Sequence, residues 1–71
     1  MGIRRDLNYS VYYTKRMRVE ITHWCEETFG ERWSAIERNG SWACFWRGHK
    51  EGYEFIFETE EQLLLFMLRW L

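Results

Sequence analysis

Residues 59–71, TEEQLLLFMLRWL, constrain the fold more than any other stretch of the chain. Thr59 followed three positions later by Gln62 makes a capping box. Glu60 and Glu61 fall in the first turn, where the helix macrodipole favours acids. A helix therefore begins here and continues through a nearly unbroken apolar series. At 3.6 residues per turn, Leu63, Phe66, Met67 and Trp70 make one stripe, and Leu64, Leu65, Leu68 and Leu71 make another. Only Gln62 and Arg69 interrupt the apolar surface. A sheet covers one stripe. The second must be covered by the other helix of the chain, through Met17, Ile21 and Trp24, or by another molecule. The expected outcome is a surplus, with Leu64, Leu65, Leu68 and Leu71 serving a homodimer or a protein partner.

The rest of the chain supplies that sheet. Leu7–Thr14 alternates Leu7, Tyr9, Val11 and Tyr13 and reads as a strand, although it also fits an early start to the helix that follows. Over Lys15–Thr28 the period changes. Met17, Ile21, Trp24, Cys25 and Thr28 share one helical stripe, and Gly30 is placed to stop the helix with Phe29 packed beneath it. Asn39-Gly40 lies between two aromatic runs, the signature of a two-residue hairpin. Such a turn sets Arg38 opposite Ser41, Ile36 opposite Ala43, Ala35 opposite Cys44 and Trp33 opposite Trp46. Gly48 and Gly52 bracket a second loop, after which Trp46, Cys44 and Trp42 oppose Tyr53, Phe55 and Phe57. One face then holds Trp33, Ala35, Trp42, Cys44, Trp46, Tyr53, Phe55 and Phe57 and must be the core side. The other carries an apolar island of Ile36, Ala43, Phe45 and Ile56 among charges. A slip of one residue would bury Glu54 and Glu58, so the register is well specified. The expected fold is α+β: a small antiparallel sheet in the order β-α-β-β-β-α with two helices packed on one face, and residues 1–6 as a tail.

Seventy-one residues make one domain. A chain of this length buries only about 60% of its unfolded surface, so each side chain must contribute much. Aromatics are 20% of the residues and supply that area. Charged residues at 30% argue against disorder. No apolar run approaches the length of a membrane span, and MGIRRD lacks the apolar stretch of a secretory signal. Asp6 stands where a myristoylation motif needs Ser or Thr. A cytoplasmic protein with reduced thiols is expected, without membrane contact.

Chemistry-bearing constellations are sparse. His23 and Cys25 on a helix project roughly 200° apart, so they cannot share an ion, and Cys44-x4-His49 does not complete a zinc set. Both cysteines fall on inward positions, where a thiol behaves as a small hydrophobe. Glu60 and Glu61 are explained by the cap, and Gly48 and Gly52 do not form a phosphate loop. No enzyme, metal or cofactor is expected. The charge distribution raises one alternative. Residues 1–18 carry five basic residues against Asp6, whereas residues 19–71 carry five basic and ten acidic ones. Arg4, Arg5, Lys15, Arg16 and Arg18 would track phosphates, and Tyr9, Tyr12 and Tyr13 would stack on bases, if this segment bound nucleic acid. The acidic remainder of the surface opposes that.

Trp24-Cys25-Glu26-Glu27-Thr28-Phe29-Gly30, the Trp-rich hairpin, Phe55-Ile56-Phe57 and Leu65-Phe66-Met67-Leu68-Arg69-Trp70 together resemble small uncharacterised accessory proteins of tailed bacteriophages. The resemblance implies a protein that acts in the host cytoplasm by binding and inhibiting or modulating a host or defence factor. It assigns no functional residues. The surfaces expected to meet a partner are Leu64, Leu65, Leu68 and Leu71 on the last helix and the Ile36, Phe45, Ile56 island.

Overall fold

In a computed structural model, residues 8–34 and 40–71 are described. Two helices lie on one face of a three-stranded antiparallel sheet. The elements are β1 (Tyr9–Tyr13), α1 (Val19–Phe29), β2 (Trp42–Trp46), β3 (Tyr53–Phe57) and α2 (Glu60–Trp70). The strand order is β1-β3-β2, so the last strand in sequence is the middle one. The β2–β3 register sets Trp42 against Phe57, Cys44 against Phe55 and Trp46 against Tyr53, as the alternation requires. β1 adds Tyr9, Val11 and Tyr13 opposite Phe57, Phe55 and Tyr53 on the same face.

That inner face builds the main core. Tyr13, Trp42, Phe55 and Phe57 from the sheet meet Ile21 and Cys25 of α1 and Phe66 of α2. Phe66 is the hub, with its ring 4.5 Å from Phe55 and 5.4 Å from Phe57. Trp24 joins the two helices edge-on, 6.1 Å from Trp70 and 5.3 Å from Phe29. Such ring pairs add about 0.5–1.5 kcal/mol each beyond the area they bury. The helix α1 starts at Val19 rather than Lys15, because Arg18 is still extended at φ −128° and provides no side-chain cap. Its stripe holds at Ile21 and Cys25, while Thr28 is exposed. At its end the Gly30 N–H donates to the Glu26 carbonyl. Ser41 Oγ donates to the Phe29 carbonyl at 2.5 Å and Trp42 Nε1 to the Gly30 carbonyl at 2.8 Å. Two carbonyls that a helix end leaves open are thereby answered by the start of β2.

Of the strand expected before Asn39-Gly40, the pairing of Trp33 with Trp46 is corrected. Residues 35–39, with Ala35, Ile36, Arg38 and Asn39, lie outside the described residues. On the described side, Trp33 meets Trp42 and not Trp46. The Trp33 N–H donates to the Trp42 carbonyl at 2.6 Å, and Arg32 forms an isolated parallel bridge to Trp42. The physical reason is the outer face. Ala43 and Ile56 are buried there beneath Trp33 and Phe45. Placing the indole over these two apolar residues removes their surface from water. Gly40 has φ 119°, and a side chain there would collide with the backbone of Arg32 and Trp33, so only glycine fits. Trp46 keeps its inward register but is 53% exposed, because it stands at the end of the sheet. It packs on Tyr53 at 4.9 Å and on His49 at 5.6 Å.

Candidate functional site

The capping box forms as its residues require. The Gln62 N–H donates to Thr59 Oγ1, and Gln62 Oε1 accepts from the Thr59 and Glu58 N–H groups. This fixes the rotation of α2. Phe66 is fully buried, with Leu63 and Trp70 packed on the same core. The opposite side presents Leu64, Leu65, Leu68 and Leu71, 49%, 48%, 85% and 53% exposed, and Met67 joins them at their flank. Leu68 points straight into solvent. All four leucines assigned to the surplus stripe are thus about half exposed or more, and α1 meets the core side of α2 through Trp24 against Phe66 and Trp70. Glu60 and Glu61 lie in the first turn of α2 and Arg69 in the last, its guanidinium 4.4 Å from the Trp70 ring.

The second expected surface is different. Ile56 is 3% exposed beneath Trp33, Phe45 is half-buried, and Ile36 lies outside the described residues. Little of that island is left to offer a partner. Sequence alone missed this because Trp33 was paired to β2 by the turn signal. The clue was its size, since a large indole preceding an apolar outer patch is a ready cover.

Of the basic segment, Arg4 and Arg5 lie outside the described residues, and Lys15, Arg16 and Arg18 are exposed. The Arg18 guanidinium lies 5.7 Å from the Trp70 ring, opposed to tracking a phosphate freely. Tyr12 is exposed on the outer face, and Tyr13 is buried in the core. In its row Tyr12 opposes Glu54, which opposes Phe45. Arg47 Nε binds Glu54 Oε1 at 2.8 Å while its guanidinium lies 4.9 Å from the Phe45 ring.

Neither cysteine is poised for chemistry. Burial pushes the Cys25 thiol up to about 12, helped by the neighbouring Cys44 and offset in part by Arg32. Burial likewise pushes Cys44 up to about 11 against the opposing pull of Arg32. At neutral pH both are thiols and not thiolates, the opposite of an activated nucleophile. Among the described residues no three His, Cys, Asp or Glu side chains gather as a metal site would require. His23 is exposed while Cys25 is buried, and the His49 ring lies 5.6 Å from Trp46. Among the described residues no helix is long and apolar enough to cross a membrane. No protein-family model, curated protein or solved structure matches the chain. The outward side of α2 is therefore the feature on which a functional reading must be built.

Proposed function

We propose that this protein is a small non-enzymatic interaction module whose docking surface is the outward side of α2. Its partner is a host or defence factor that it inhibits or modulates in the host cytoplasm, as the likeness to phage accessory proteins implies. The observation that carries this reading is the row Leu64, Leu65, Leu68 and Leu71 left in solvent while Phe66 anchors the same helix in the core. A contiguous apolar face on so small a protein is usually an interface. The capping box and the buried Phe66 hold that face rigid, which lowers the entropy lost on docking.

The test pairs wild type with Leu68→Glu as baits in extract of the natural host. The captured protein is then purified and titrated with both. Binding by wild type with at least a tenfold loss for Leu68→Glu is expected. Equal binding by both variants, or no saturable binding by wild type, removes α2 as the docking surface.

A second reading has one favourable observation. Tyr12 is exposed on the outer face, and the Glu54 charge opposite it is engaged by Arg47. Tyr12 would stack a single-stranded base, with Lys15 and Arg16 on the backbone. Labelled oligonucleotides in a salt series decide it, and affinity that does not fall as salt rises rules it out.

A further inference from the structure

We propose that a second copy of this chain covers the outward side of α2, the two helices crossing antiparallel about a twofold axis near Leu65. This rests on the reading of α2 as a docking surface: the second copy holds the face until the partner displaces it. Three features of the face fit it to itself.

The first is spacing. Glu61, Leu64, Leu68 and Leu71 recur at intervals of three, four and three, the seam along which two helices interlock, and Leu65 and Met67 widen it on either side. The second is charge. Glu60 and Glu61 occupy the first turn of α2 and Arg69 the last. A twofold rotation about the middle of the helix places Glu61 of each copy beside Arg69 of the other. A parallel pair would set acid on acid and base on base. Antiparallel helices also oppose their macrodipoles favourably. The third is area. Leu64, Leu65, Met67, Leu68 and Leu71 together leave roughly 500 Å² in solvent, the upper part of what a monomer normally shows. Two such faces brought together bury about 1,000 Å², the lower end of a specific interface. Association on the order of micromolar is expected, so the dimer dissolves on dilution. An isologous contact of this kind closes on itself and stops at two.

The experiment is sedimentation equilibrium of the full chain from low micromolar to millimolar, at low and high salt. Wild type should pass from the mass of one chain to that of two. Leu68→Glu should stay at one, with an unchanged thermal melt because Leu68 is 85% exposed and carries no core contact. If that variant does not fold, Leu64→Glu replaces it. Glu61→Arg alone should weaken association about tenfold at low salt, and Glu61→Arg with Arg69→Glu should restore it. Wild type at one mass throughout overturns the self-pairing, as does a dimer that survives Leu68→Glu. A double variant no tighter than the single one overturns the antiparallel arrangement. If wild type remains single but captures a host protein through Leu68, the pairing falls and the docking surface stands. If it pairs and captures nothing, the pairing stands and the host partner falls.

Discussion

At Gly52 the β2–β3 loop touches β1 through backbone alone. Gly52 has φ 78°, and a side chain there would sit 2.5 Å from the Tyr13 carbonyl oxygen and 2.9 Å from the Thr14 Cα. Gly52→Ala therefore combines a left-handed backbone with a collision. A loss of about 2 kcal/mol in urea denaturation is expected, and a loss under about 0.5 kcal/mol would show that the loop yields. Cys25 and Cys44 make a second prediction at this scale. Both thiols are raised from 9.0, Cys25 to about 12 and Cys44 to about 11. Above pH 9 the unfolded chain releases protons that the folded chain retains, so stability is intact below pH 9 and falls as pH rises towards 11–12. Each thiol contributes a slope of about 1.4 kcal/mol per pH unit inside its window. Denaturation at pH 8 and pH 10.5 should show a smaller alkaline loss for Cys25→Ala than for wild type. Identical slopes would mean that Cys25 is not protonated by its burial.

Among the elements, α2 was the most legible and the segment after α1 the least. Thr59 and Gln62 announce a helix start through purely local chemistry, and the structure contains both halves of that box. Thr59→Ala should destabilise by about 1 kcal/mol, with far-UV helicity little changed below the melt. A neutral result would mean that packing at Phe66 alone fixes α2. The β2–β3 register was legible for a different reason. Its period of two leaves Glu54 and Glu58 on the core side if the strands slip, so one alignment dominates. The pairing of Trp33 was illegible because Asn39-Gly40 states only a local preference. What Trp33 does depends on Ala43 and Ile56, which lie ten or more residues away. Of the two candidate surfaces, the one on α2 followed from counting stripes on a single helix. The other depended on a tertiary cover that no periodicity encodes.

For the molecule as a whole, the consequence is a sheet packed on both faces in a chain of 71 residues. The inner layer carries two helices, and among the described residues the outer layer is built from Trp33 and Phe45. Trp33→Ala should strip that outer layer. A stability loss of about 3 kcal/mol is expected, together with dye binding to the exposed Ile56 patch and no change in the inner ring contacts. Small proteins hold only about 5 kcal/mol in reserve, so this variant should be folded but close to its melt near body temperature. Retention of full stability would mean that Ile56 is covered by other groups.

The strand order carries a consequence for how the chain is made. A ribosome releases β1 first and β3 last of the three strands, yet β3 is the one that both others need. Neither outer strand can find its neighbour until Phe57 has left the exit tunnel. From Tyr9 to Trp46, nearly forty residues of aromatic-rich chain must wait in the open for the piece that zips them, and that interval is when a chaperone would matter most.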